Sequence, residues 1–168
     1  RTIRTSMQSY EPLLRAFSEN HINYLIVGGV AVNLHGYPRF TNDLDILLTL
    51  DQENLKKMAE LMGRMGYQQR LPVSIQELSD EQKARAFIEE KGLTAYSFIH
   101  EKYPQFNVDV LVAQSIDFEK FSKHTMRAEV WNIDVPVVSI DDLIAMKKNS
   151  DREKDIQDIV ALLELKGL

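Results

Sequence analysis

The chain contains no cysteine. That excludes disulfides, thiolate nucleophiles and cysteine-ligated zinc, and it suits a reducing cytoplasm, the expected location. Long apolar runs are missing too. The stretch from Tyr24 to Val32 is broken by Gly28 and Gly29 and stops well short of the roughly 20 residues a membrane helix needs, so no membrane partner is expected. Nor is there an excess of positive charge. The formal net charge is −5, which argues against nonspecific binding of long nucleic acid through a basic face. Lys147, Lys148, Arg152 and Lys154 can still form a local basic rim. No internal repeat, low-complexity linker or signal-peptide pattern is visible, and Arg1 to Thr5 reads as the start of a domain. With 168 residues, the chain is long enough for one domain with a proper core.

Hydrophobic periodicity outlines the elements that are present. Met7, Tyr10, Leu13, Leu14 and Phe17 recur at helical spacing, predicting a helix from about Met7 to Glu19 that Asn20 and His21 stop. Tyr24 to Val27 is a short β-prone run, Gly28-Gly29 breaks it, and Val30 to Leu34 reads as a short helix ended by Gly36, Tyr37 and Pro38. Asp43 to Thr49 is expected to be a central strand. Leu55 to Met65 forms an amphipathic helix closed by Gly66, its methionines being packing residues. Ser79 and Asp80 cap a further helix to about Lys91. Thr94 to His100 and Phe106 to Val112 are two strands around a turn, Asp117 to Lys123 is helical, and Ala128 to Val138 is mostly extended. Helices over Leu143 to Lys148 and Arg152 to Leu165 close the chain. The expected fold is α/β (α+β), a small mixed β-sheet flanked by helices. It forms a single domain over 1–168, with a core at about 7–138 and C-terminal helices at about 139–166.

Charged residues inside these apolar elements point to chemistry. Asp43 and Asp45 stand two apart in the predicted strand, so both leave one face, opposite Leu44, Ile46 and Leu48. Two carboxylates so close repel each other unless a cation intervenes, and Mg²⁺ prefers oxygen ligands. The alternative is a solvated strand end. Asp109 lies within Phe106 to Val112, where a charge is costly unless paired or ligating a metal; the alternative is an edge strand facing solvent. If the two strands are neighbours, the three acids cluster as two-metal phosphoryl chemistry requires. Gly28-Gly29, between a strand and a helix, lets backbone amides approach a phosphate.

The run Gly28-Gly29-Val30-Ala31, then His35-Gly36-Tyr37-Pro38-Arg39-Phe40-Thr41-Asn42-Asp43-Leu44-Asp45-Ile46, resembles the nucleotidyltransferase signature of the DNA polymerase beta superfamily. More narrowly, it is similar to bacterial minimal nucleotidyltransferases of the abortive-infection toxin type. The closing stretch from Pro136 to Lys147, with Arg152, Asp155-Ile156 and Asp158-Ile159, resembles that group's lysine helix and Arg-x-x-Asp helix. The resemblance implies transfer of a nucleoside monophosphate from a nucleoside triphosphate to a hydroxyl. It implies Mg²⁺ (or Mn²⁺) as cofactor, held by Asp43, Asp45 and Asp109 as the catalytic acids. Gly28, Gly29 and Lys147 would bind the nucleotide phosphates, Lys147 as a mobile charge. The acceptor would be RNA such as a transfer RNA end, a protein or a small molecule such as an antibiotic, and an antitoxin would be the partner. Position 29 departs from the pattern, since many active members carry serine there. A catalytically inactive binding or regulatory protein on the same fold is the alternative function.

Other residues carry two readings each. Arg39 contacts phosphate or braces the acids as an ion pair. His35 is expected to bond to backbone at a helix end, and Thr41 to cap or turn the chain into the strand. Arg152 and Asp155 pair on a helix surface or, with Asp158, support the site near Lys147. Trp131 and the tyrosines stack a base or belong to the core or a partner surface.

Overall fold

A computed structural model describes residues 10–148 and 152–167. In chain order it holds α1 (Glu11–Glu19), β1 (Tyr24–Val27), α2 (Gly28–Leu34), β2 (Leu44–Leu48), α3 (Gln52–Arg64) and β3 (Tyr67–Gln69). A 3-10 turn (Ile75–Ser79), α4 (Glu81–Glu89), β4 (Ala95–His100), β5 (Asn107–Leu111), α5 (Val112–Ile116) and α6 (Phe118–Ser122) follow. The chain ends in β6 (Met126–Val130), β7 (Ile133–Val137), α7 (Ile140–Lys147) and α8 (Glu153–Leu165). The mixed α/β expectation holds. No helix among the described residues is long and apolar enough to cross a membrane.

The seven strands form one sheet in the order β3-β4-β5-β2-β1-β7-β6. β2 and β1 are antiparallel, while β2 runs parallel to β5 and β1 parallel to β7. The central strands read as near-continuous apolar runs because both faces are covered. Ile26, Val27, Leu44, Ile46, Leu47, Leu48, Val108 and Val110 are all fully buried.

Local chemistry sets several boundaries. Pro12 sits in the first turn of α1, where its missing N–H costs nothing. Residues 7–9, which the sequence placed in this helix, lie outside the described residues. Asp51, Asp80 and Ser139 accept hydrogen bonds from the opening amides of α3, α4 and α7, satisfying otherwise unpaired N–H groups.

Some elements differ from the sequence expectation. Asp43 lies just before β2 rather than within it. Val112 begins α5 instead of ending a strand. Ala128 to Val138 is a hairpin, turned by Trp131 and Asn132 at φ 52° and 60°, a left-handed pair that matches strand twist. Trp131 is therefore a turn residue that also packs, half-buried, against the core, as one of its two readings expected. β3 and the 3-10 turn were not foreseen.

Asn54 is the polar pin of the core. It is buried, its side-chain nitrogen donates to the carbonyls of Asn23 (2.9 Å) and Thr49 (3.0 Å), and its oxygen accepts from the Asn23 amide (2.9 Å). One side chain thereby joins the entry of β1 to the exit of β2. Replacing it with leucine leaves buried backbone groups unpaired, at roughly 1–3 kcal/mol for each stranded group. Asn54→Leu is expected to lower the urea unfolding midpoint by a loss of about 2–3 kcal/mol; an unchanged midpoint would show that the pin is dispensable.

Candidate active site

The parallel pairing of β2 with β5 sets Asp45 directly beside Asp109. Asp43, at the mouth of β2, joins them along one cleft of about 640 Å³, whose lining also includes Gly28, Gly29, Lys147 and Arg152. The two neighbouring-strand acids are the three-acid arrangement's inner pair, and Asp43 is its exposed member.

Electrostatics follow from this placement. The Asp45 carboxyl is pushed up to about 7, first by burial and then by the negative charges of Asp109 and Asp43. Lys147 and Lys154 act against that rise. Burial also raises Asp109, although the Ser97 hydroxyl donates to its Oδ1 at 2.6 Å and Arg70 lies near enough to oppose the shift. Asn107 donates to Asp43 Oδ1 at 3.4 Å. Among the described residues, no three acidic or histidine side chains stand close enough to enclose an ion by themselves. Asp43, Asp45 and Asp109 line the cleft with oxygen donors only, the ligand type Mg²⁺ prefers. That ion keeps several waters and binds through one or two carboxylates together with substrate phosphates.

The glycine pair forms the first turn of α2. Gly28 adopts φ +67°, and a Cβ there would lie 2.3 Å from Asp45 Oδ2. Backbone strain and collision both demand glycine, so the loop and the acid share one space.

Across the cleft stands a buried ionic network on α7 and α8. Lys147 Nζ contacts Asp155 Oδ1 at 3.1 Å and Asp158 Oδ2 at 3.0 Å. Arg39 grips Asp158 through Nε (2.8 Å) and Nη2 (3.1 Å), and Arg152 pairs with Asp155 at 2.7 Å. Asp155 and Asp158 are each only 1% exposed and Lys147 8%. The structure therefore holds Lys147 between two carboxylates, where the sequence reading had a mobile charge. Arg39 forms an ion pair with Asp158, not with the cleft acids it was expected to brace, and Asp155 and Asp158 are buried anchors rather than a surface pair only. His35 Nε2 lies 2.7 Å from the Val138 carbonyl oxygen, the expected backbone bond.

Three supporting residues escaped the sequence reading. Tyr10, counted there only as an apolar helix position, directs its hydroxyl to the carbonyl oxygens of Asn42 and Asn107. It ties the residue preceding Asp43 to the start of β5. Ser97 and Asn107 hydrogen-bond the acids themselves. An apolar strand with polar residues at alternate positions, Ser97 on β4 and Asn107 with Asp109 on β5, was the available signal.

Comparison with known proteins shows the family and the fold. The family described as nucleotidyl transferase AbiEii toxin, type IV TA system, matches residues 12–168. No curated protein sequence matches. Among solved structures, the lincosamide antibiotic adenylyltransferase LnuA, bound to lincomycin, superposes with a TM-score of 0.61 at 16% identity, covering 94% of this chain and 96% of its own. An antigenic nucleotidyltransferase-like protein from Paracoccidioides brasiliensis gives 0.60 at 16% identity, with 95% and 76% coverage. A candidate nucleotidyltransferase from Thermotoga maritima gives 0.55 at 14% identity, with 94% of each chain covered. At these identities the three superpositions establish the shared fold.

Two outcomes test the site's electrostatics. Asp45 has a folded-state pKa near 7 against about 3.9 unfolded, so the folded state holds a proton the unfolded chain has lost between those values. Its contribution to stability falls as pH rises through that window and is lowest above pH 7. In chelator-treated protein, Asp45→Asn is expected to raise Tm by several degrees at pH 8 and by less at pH 5; a lower Tm at pH 8 would contradict this. Asp158→Ala removes the carboxylate shared by Arg39 and Lys147 and is expected to cost about 3–5 kcal/mol in denaturant unfolding. A loss below 1 kcal/mol would mean the network is slack.

Proposed function

The chain belongs to the AbiEii nucleotidyl transferase toxin family, and from that premise we propose that it is a metal-dependent enzyme moving a nucleoside monophosphate from a nucleoside triphosphate to an acceptor hydroxyl. The observation that carries the proposal is the register of Asp45 beside Asp109, with Asp43 at the same mouth, facing a cationic wall across one cleft. Asp43, Asp45 and Asp109 would hold Mg²⁺ or Mn²⁺, which when bound supplies positive charge to the phosphate oxygens and to the attacking oxygen.

The chain's own residues have separable tasks. Gly28 and Gly29 present backbone to the phosphates. Lys147, fixed by Asp155 and Asp158, sets a positive charge on the opposite wall, with Arg152 at its rim. Arg39, anchored by Asp158, holds the segment that leads into Asp43. As the acceptor oxygen bonds to the α-phosphorus, the bond to the bridging oxygen breaks and pyrophosphate leaves. The hydroxyl proton passes to a carboxylate, and Asp109, raised by burial and steadied by Ser97, is the base that best suits this.

The acceptor is an RNA end, a protein side chain or a small molecule. LnuA, by its name, adenylylates a lincosamide antibiotic, which supports including small hydroxyl compounds. Membership of a toxin family supports an antitoxin partner. The test is incubation with each labelled nucleoside triphosphate, Mg²⁺ and, in parallel, total RNA, total protein and a lincosamide. Label is expected to enter one acceptor class, to vanish with chelator, and to fall at least 100-fold with Asp43→Ala. Nucleotide binding without transfer to any acceptor would favour the inactive binding protein.

A further inference from the structure

Gly29 is buried, lines the cleft and has no side chain, yet the space beside it is filled. A Cβ built at Gly29 would lie 2.8 Å from Thr41 Oγ1, 3.1 Å from Thr41 Cβ and 3.0 Å from Arg39 Nη1. A hydroxyl and a guanidinium nitrogen, both from the segment entering β2, thus converge on the phosphate loop from outside it. Neither is there by chance of rotamer. The guanidinium is gripped by Asp158 through Nε and Nη2, and its Nη1 donates to the Phe40 carbonyl at 2.7 Å. Thr41 is branched at Cβ, which restricts its rotamer. Its single O–H donates in one long hydrogen bond among the described residues, 3.4 Å to the Asp43 carbonyl oxygen, a weak bond that a phosphate oxygen could replace.

We propose that the Thr41 hydroxyl is a donor-phosphate contact of this site, occupying the space a side chain at position 29 would need. The inference rests on the reading of the cleft as a triphosphate site. Position 29 and position 41 then form one reciprocal unit: either can bring a hydroxyl to the loop, and the two side chains cannot both fit. Glycine at 29 is in this view the partner of Thr41, and a serine placed there would collide with Thr41 rather than improve the site. The hydroxyl donates to a phosphate oxygen while Arg39 Nη1 sets positive charge beside it, a charge-assisted arrangement.

The test uses the full chain with Mg²⁺ and, as probes, each of the four nucleoside triphosphates and inorganic tripolyphosphate, titrated by calorimetry. Thr41→Val keeps the shape and removes the hydroxyl, and it is expected to weaken binding of both probe types on the order of tenfold, the loss of one hydrogen bond to a charged group. Thr41→Ser should stay within about twofold. Gly29→Ser alone should weaken binding, whereas Gly29→Ser combined with Thr41→Ala should recover to within about threefold, the sign reversal expected of one shared space. Equal affinity in wild type and Thr41→Val, or an equally harmful Gly29→Ser in both backgrounds, overturns the assignment of Thr41 alone. If wild type binds none of the probes, the triphosphate reading falls and this inference with it. Thermal scans of every variant separate a lost contact from a lost fold.

Discussion

Carboxylates on adjoining parallel strands, turned into one cleft, cannot all be ionised without positive charge nearby. That constraint organises the centre of this protein. β2 and β5 bring Asp45 and Asp109 together, and burial first, then the charges of Asp109 and Asp43, push the Asp45 carboxyl upward. Positive charge is supplied from the facing wall by Lys147 and Lys154. Asp45 is thus left in a state that added positive charge would relieve.

The cationic wall solves a second problem, since buried ammonium and guanidinium groups are themselves expensive. Asp155 and Asp158 each serve two cations, so no buried charge on the wall stands alone. Sharing also fixes geometry: Asp158 touches both Arg39, which precedes β2, and Lys147, on α7. The negative and positive sides of the cleft are joined by this contact as well as separated by the cavity.

Much of this was legible in the sequence because it depends on short-range pattern. Tyr24 to Val27, the helix ended by Met65 and Gly66, and the strands carrying Ser97 and Asp109 follow from apolar periodicity and glycine punctuation. The acids stood out as charges in apolar surroundings. The missing parts depend on tertiary contact. Val110-Leu111-Val112 is continuously apolar, so nothing local marks the change from β5 to α5. The β6–β7 turn uses Trp131 and Asn132 in left-handed conformations without the glycine that usually announces them. Tyr10, Ser97 and Asn107 support the acids through hydrogen bonds to residues that no spacing rule connects. The confinement of Lys147 is invisible for the same reason, because a lysine on a helix looks alike whether solvated or held between two aspartates.

Arg39 reaches Asp158 across 119 positions of chain, and that distance has a consequence in time. During synthesis all three cleft acids, the glycine pair and Arg39 emerge well before α7 and α8. A nascent chain that has reached β5 therefore carries the whole negative half of the cleft, and the Lys147 and Asp158 half does not yet exist. Folding of the early strands has to proceed with the acids protonated, solvated or holding a cation from solution. α8, made later than these strands, then converts the bare acidic ends of β2 and β5 into a bounded pocket. The order of the sequence itself delays completion of the site until α8 has been made.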